Sequence, residues 1–200
     1  FTSGTTGVPK KIQHSLKTLT NSIKTNKTKG CNYRGGLLYS HNKFAGLQGI
    51  LQSILGWGCL IIPPRNSFTE DIDFLIANNC NALSATPSIW KKLLMTQYAS
   101  SLKLKCITLG GEIADQFILT SLNNLYPQSR IRHIYASTEA GVGFSVSDGL
   151  EGFPIEYEKT FKLRVDSAGM LYIKLKELPE SPTQDQLEYI TSDGYIKTLD

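Results

Sequence analysis

What most constrains the fold of this chain is the alternation that begins at Gly36. Gly36 to Ser40 reads as a strand, Phe44 to Leu55 as a helix, and Gly58 to Ile62 as a strand closed by Pro63 and Pro64. Phe68 to Asn78 then has helical spacing, Ala82 to Ala85 is strand-like, and Pro87 to Gln97 is a helix with Thr86 as its cap. Leu104 to Leu109, Ala114 to Leu125 and Ile131 to Tyr135 continue the series as strand, helix and strand. Strands joined by helices of this length imply crossovers, so the fold class is α/β, a mostly parallel sheet covered by helices. Ahead of it, His14 to Lys24 has helical spacing and ends in the polar run Thr25 to Gly30. After Gly152 the pattern changes to short strands at Thr160 to Val165, Met170 to Lys176, Gln186 to Ile190 and Tyr195 to Thr198. The expected organisation is an α/β core over residues 1–152 and a short all-β segment of the same large domain over 153–200.

Composition narrows the class. With 40% hydrophobic and 19% charged residues the chain can bury a core, and no run of eighteen apolar residues predicts a membrane span. The chain starts on Phe1 inside a motif, without an initiator Met, so it is expected to be cut from something longer and the lack of a signal peptide means little; the expected setting is cytoplasmic. Cys31, Cys59, Cys80 and Cys106 are singly spaced and read as reduced core thiols. The net charge of +4 owes much to Lys10, Lys11, Lys17, Lys24, Lys27 and Lys29. No aromatics interleave these lysines, so a solvated surface is favoured and no nucleic-acid partner is expected.

Three stretches carry chemistry. Thr2 to Lys10 reads Thr-Ser-Gly-Thr-Thr-Gly-Val-Pro-Lys, in which Gly4 and Gly7 admit close phosphate approach and the hydroxyls of Thr2, Ser3, Thr5 and Thr6 add donors. It is not a Walker loop, because Val8 and Pro9 separate Gly7 from Lys10. Ligands in open α/β sheets bind beyond the strands' carboxyl ends. That rule nominates His41 to Phe44, Thr86 to Ser88, Gly110-Gly111-Glu112 and Ala136 to Glu139. At the last of these rim positions Tyr135 can stack on a purine or serve as a core aromatic, Thr138 can meet a phosphate, and Glu139 can hold Mg²⁺ or be a surface charge.

Together these residues resemble the acyl-adenylate-forming (AMP-binding) superfamily of acyl-CoA synthetases, peptide-synthetase adenylation domains and luciferases. Thr2 to Lys10 is similar to that family's phosphate-binding signature, Tyr135 to Glu139 to its Tyr-Gly-x-Thr-Glu motif, and Asp193 to Asp200 to its Asp-Gly-aromatic-x-x-Thr-Gly-Asp motif. The resemblance implies that Thr2, Ser3, Gly4, Thr5, Thr6, Gly7 and Lys10 hold the ATP β- and γ-phosphates. Gly110, Gly111 and Glu112 would lie beside the adenine, with Tyr135 stacked on it and Ala136 and Ser137 following in the same motif. Thr138 would contact the α-phosphate, Glu139 would hold Mg²⁺ and Asp200 the ribose, so that Lys10, Thr138 and Glu139 serve catalysis.

The implied reaction activates a carboxylic acid to acyl-AMP and transfers the acyl group to a thiol, either CoA or the phosphopantetheine of an acyl carrier protein. His41, Phe44, Trp57 and Gly141 are candidates for the acid pocket, and the absence of Asp from Ser40 to Gly46 favours a plain acid over an amino acid. Two departures, Ala136 and Leu199 at positions where the motifs carry Gly, motivate an alternative: a non-catalytic nucleotide-binding remnant of the same fold. The small C-terminal domain that supplies the family's adenylating lysine would follow Asp200.

Overall fold

The computed structural model describes residues 12–138, 141–168, 170–174 and 190–197. Its elements are α1 (Leu16–Thr20), α2 (Lys27–Gly30), β1 (Arg34–Leu37), α3 (Phe44–Leu55), β2 (Cys59–Ile61), α4 (Phe68–Ala77), β3 (Ala82–Ala85), α5 (Pro87–Leu94), β4 (Cys106–Gly110), α6 (Gln116–Leu125), β5 (Arg130–Ser137), β6 (Gly141–Val146), α7 (Tyr157–Thr160), β7 (Leu163–Val165), β8 (Leu171–Lys174) and β9 (Tyr195–Lys197). Two compact units emerge. One contains Ile23–Ile134 and Ser145–Gly152; the other takes the described parts of Phe1–Ser22, Tyr135–Phe144 and Phe153–Asp200.

In the first unit β2, β1, β3, β4 and β5 lie side by side, all parallel, and β6 follows β5 in the strand order. Side-chain alternation along β1 explains why helices cover both faces. Gly36 faces Leu75 of α4 and Leu83 of β3, where a Cβ would sit 2.9 Å from each, while Leu37 on the other face packs on Gly49 of α3. The main core gathers Ile72, Leu75, Leu83, Trp90, Leu93, Ile107, Leu109, Ile118 and Leu122. Ser67, Thr86 and Asp115 cap α4, α5 and α6 by accepting N–H bonds from the third residue of each helix, as short polar residues before an apolar run should.

Several elements differ from expectation for identifiable reasons. β1 starts at Arg34 and stops at Leu37, earlier than Gly36 to Ser40. Asn81 draws its start into the sheet, accepting the Arg34 N–H on Oδ1 at 2.8 Å and donating its own N–H to the Arg34 carbonyl at 3.0 Å. The Arg65 guanidinium then caps its end, donating to the carbonyls of Leu37, Leu38 and Tyr39 at 2.9, 2.7 and 2.6 Å. The leading helix ends at Thr20 instead of Lys24, and the Gln52 amide takes up both backbone groups of Lys24. Within the polar run, α2 forms because Asn26 caps it. Of the four cysteines, all free thiols, only Cys80 and Cys106 are buried; Cys31 and Cys59 are exposed, so the core reading holds for two of them.

The second unit holds the end of β5, the start of β6, and an antiparallel sheet in the order β7-β8-β9. Its centre is aromatic. Tyr135 stacks on Phe144 at 4.6 Å between centroids, and Phe153 meets both rings edge-on at 5.6 and 5.3 Å. Tyr157 and Phe161, four residues apart, reach Phe144 at 5.6 and 5.3 Å. That spacing suits one helical turn, which is why α7 forms just ahead of the expected strand. The strand expected at Gln186 to Ile190 lies, apart from Ile190, outside the described residues.

His133 gives the first unit a pH response. Only 5% exposed, it contacts the Leu150 carbonyl through Nε2 at 3.1 Å. Burial holds its imidazole below the ordinary 6.5, against the opposing pull of the Leu150 carbonyl and the Asp148 carboxylate. The unfolded chain therefore takes up a proton that the folded chain resists, so stability is full above about 6.5, falls as pH drops through it, and levels off below the folded value. Urea midpoints between pH 7.5 and 5 should show this loss, and His133→Gln should flatten it; equal slopes in both proteins would contradict the assignment.

Candidate functional site

At the carboxyl ends of β1, β3 and β4 the first unit brings together Tyr39, Ser84, Thr86 and Gly110 to Glu112. β4 ends on Gly110, and Gly111 follows with φ of +81°, a left-handed backbone in which a Cβ would meet only the Thr86 methyl at 3.7 Å. A flat ligand can approach this bare turn. Glu112 bends back to the first turn of α5, its Oε2 accepting from the Ser88 N–H at 2.9 Å and the Ser88 hydroxyl at 2.6 Å. Burial works against its ionisation, but the Ser88 bonds, the Thr86 hydroxyl and the Lys91 charge outweigh it and hold the carboxyl below its ordinary range. A carboxylate at the start of a helix is also favoured by the exposed N–H groups there.

Tyr39 is the residue that sequence reasoning missed at this rim. Its hydroxyl donates to the Gly110 carbonyl at 3.0 Å and also bonds the Ser84 side chain, so one phenol ties three strand ends. Burial, with the nearby Glu112 charge adding to it, pushes Tyr39 up to about 12, and the group stays a donor across the physiological range. The available signal was an aromatic residue just past a strand; reading β1 as far as Ser40 hid it.

Of the acid-pocket candidates, His41 lies exposed in the turn after β1 and Phe44 opens α3, half-buried. Trp57 is not brought to this rim. It lies in the turn before β2, at the amino ends of the strands, 57% exposed, with φ of +63° and the Lys27 ammonium 4.9 Å from its ring centre. The His41 turn is held against α3 where Gly46 has no side chain. A Cβ there would stand 2.0 Å from the Ser40 carbonyl oxygen and 3.0 Å from the His41 Cα, both backbone. Gly46→Ala should therefore displace the turn and cost about 1–3 kcal/mol in denaturant melts; an unchanged midpoint would show the packing to be looser.

The second unit carries the Tyr135 to Thr138 segment. Tyr135, Ala136, Ser137 and Thr138 are half-buried along the end of β5. Phe144 covers one face of the Tyr135 ring, so a purine stacking on Tyr135 must use the other. His14 Nε2 donates to the Thr138 carbonyl at 2.7 Å, a contact sequence reading did not anticipate. Gly141 opens β6 with φ of +72°. Thr2, Ser3, Gly4, Thr5, Thr6, Gly7, Lys10, Glu139 and Asp200 lie outside the described residues. Among the described residues no group of three His, Cys, Asp or Glu side chains could hold a metal ion, and no helix is long and apolar enough to cross a membrane.

Residues 1–171 match the family described as AMP-binding enzyme. The chain belongs to that family. This AMP-binding chain is 27% identical over 211 aligned positions to surfactin synthase subunit 2 of Bacillus subtilis, an alignment covering 98% of the chain and 6% of the synthase subunit. Its fold is that of the luciferase-like enzyme of the mealworm Zophobas morio, with a TM-score of 0.73 at 17% identity over 99% of this chain and 52% of the other. The O-succinylbenzoate coenzyme A synthetase of Bacillus subtilis, solved with ATP and magnesium ion, gives a TM-score of 0.69 at 17% identity, covering 98% of this chain and 45% of that one. The AMP-binding chain spans between 2% and 8% of the length of the curated relatives it matches.

Proposed function

We propose that the protein carrying this chain activates a carboxylic acid with ATP, forming acyl-AMP and pyrophosphate, and passes the acyl group to a thiol. The observation that carries this reading is the family match over residues 1–171, which takes in the Thr2 to Lys10 loop and the Tyr135 to Glu139 motif together. The bare, left-handed Gly111 and the half-buried tyrosine at Tyr135 suit the nucleoside end of ATP. The donor set suits its phosphates: hydroxyls and glycine amides of the Thr2 to Lys10 segment, and Thr138 just after β5.

In this reading Thr2, Ser3, Gly4, Thr5, Thr6, Gly7 and Lys10 hold the β- and γ-phosphates and stabilise them as a leaving group. The substrate carboxylate attacks the α-phosphorus, the bond to the bridging oxygen breaks, and pyrophosphate departs with that electron pair. Glu139 would hold Mg²⁺, which would supply charge neutralisation at the phosphates. Thr138 hydrogen-bonds the α-phosphate, Asp200 takes the ribose, and Gly110 and Gly111 lie flat beside the adenine. Glu112 acts at one remove, since its carboxylate is already bonded to Ser88 and sets the course of the turn. No protein nucleophile is needed, and catalysis rests on positioning and charge neutralisation. His41, Phe44 and Gly141 are the pocket residues retained for the acid, a plain carboxylic acid; the acceptor thiol is CoA or a carrier protein's phosphopantetheine, and the setting is cytoplasmic.

Acid-dependent release of pyrophosphate from Mg·ATP, measured over a panel of aromatic and aliphatic acids, tests the reading. One observation favours a second: β5 carries Ala136, half-buried, where the motif has Gly, and a methyl group there would narrow the floor of a nucleotide or acyl pocket. A nucleotide-binding remnant would bind Mg·ATP in calorimetric titration and release no pyrophosphate with any acid.

A further inference from the structure

We propose that His14 is a positioning residue that fixes the Thr138 carbonyl just past the end of β5. Its Nε2 lies 2.7 Å from the Thr138 carbonyl oxygen, across 124 positions of sequence. A carbonyl oxygen only accepts, so Nε2 carries the proton in this contact, whatever the state of Nδ1. The ring is set by the turn that follows it. Ser15 caps α1, its Oγ accepting the Thr18 N–H at 3.1 Å, and this brings Thr18 Oγ1 to 3.4 Å from His14 Nδ1. The Thr18 hydroxyl is itself held, donating to the Ser15 carbonyl at 2.9 Å.

The bonded carbonyl is the one between the residue proposed for the α-phosphate and the residue proposed for Mg²⁺, and His14 stands four residues after Lys10 in the chain. One side chain thus joins the stretch that follows Lys10 in sequence to the residue that follows β5. Losing the bond would free the Thr138 carbonyl to turn, so His14 acts through Thr138. This role rests on the ATP-activating reading for its kinetic consequence, but the bond itself does not.

The test compares the parent protein with His14→Leu, which removes the donor, and His14→Gln, whose amide nitrogen reaches nearly as far as Nε2. Hydrogen–deuterium exchange without nucleotide should be faster in His14→Leu at peptides carrying 135–138 and 14–18, and near the parent's in His14→Gln. In acid-dependent pyrophosphate exchange, His14→Leu should raise KM for Mg·ATP about tenfold and leave KM for the acid unchanged, with His14→Gln restoring most of the loss. Unchanged deuterium uptake around Thr138 in His14→Leu, or indistinguishable Leu and Gln variants, would overturn the proposal. A general fall in thermal stability with the parent's KM for Mg·ATP would overturn it too. If the parent itself shows no exchange while the deuterium pattern appears as expected, the ATP-activating reading fails and the His14 bond stands.

Discussion

Trp90→Ala is expected to destabilise the first unit by about 3–5 kcal/mol, enough to leave a marginal protein largely unfolded. Trp90 sits on α5 at 0% exposure, inside the cluster where Leu83, Ile107, Leu109 and Leu93 meet. Its indole Nε1 donates to the Thr108 carbonyl at 3.1 Å, tying the helix to β4 from below. Alanine removes both the largest fully buried side chain among the described residues and that bond. Trp90→Phe keeps most of the volume and should cost roughly half as much, the loss being one buried hydrogen bond and the residual cavity. Equilibrium urea unfolding followed by far-UV circular dichroism measures both. A Trp90→Ala midpoint within experimental error of the parent would mean that α5 is not anchored as described. The functional consequence is indirect: α5 receives Glu112 at its first turn, so loosening the helix releases the Gly110 to Glu112 rim.

The second large effect concerns Tyr135. Its ring is shared between the Phe144 and Phe153 cluster and, in the proposed function, the adenine. Stacking of a base on an aromatic side chain contributes about 1–3 kcal/mol. Tyr135→Ala should accordingly weaken Mg·ATP binding by about tenfold to a hundredfold in calorimetric titration. It should also lower the melting temperature, because Phe144 loses its stacked partner. Tyr135→Phe keeps the ring and should preserve both properties to within a few-fold. A Tyr135→Ala protein that melts earlier yet binds Mg·ATP as the parent does would assign Tyr135 to the aromatic core alone.

The legibility of this chain varied with the kind of interaction involved. α3 over Phe44–Leu55 and β3 over Ala82–Ala85 agree with the sequence reading at both ends, because local signals coincide there with the packing. Gly56 follows the first, and Thr86-Pro87 closes the second and opens the next helix. β1 was displaced because what sets its limits is remote: Asn81 at its start and Arg65 at its end act through side-chain bonds to its backbone. No local pattern announces such contacts. β6 was missed since Gly141 to Val146 follows a motif whose chemistry dominated the reading, and the strand's alternation is short.

The candidate site divides in the same way. Gly110, Gly111 and Glu112 were legible as a polar, glycine-bearing stretch after an apolar strand. That Glu112 would bond Ser88 was not, as it depends on where α5 begins in space. Tyr39 and His14 share the harder problem. Each serves by giving one proton to a main-chain carbonyl far along the chain, Gly110 in one case and Thr138 in the other, and a carbonyl leaves no mark in a sequence. Trp57 shows the converse, a conspicuous side chain whose place at the amino ends of the strands follows from the Gly56-Trp57-Gly58 turn.

The central claim is that this AMP-binding chain serves carboxylate activation. The most direct measurement is the acid-dependent exchange of labelled pyrophosphate into ATP by the protein that carries it, in the presence of Mg²⁺. The account predicts label in ATP with at least one carboxylic acid of the panel, abolished by omitting the acid and strongly reduced by Glu139→Gln. Tight Mg·ATP binding with no exchange for any acid would contradict it.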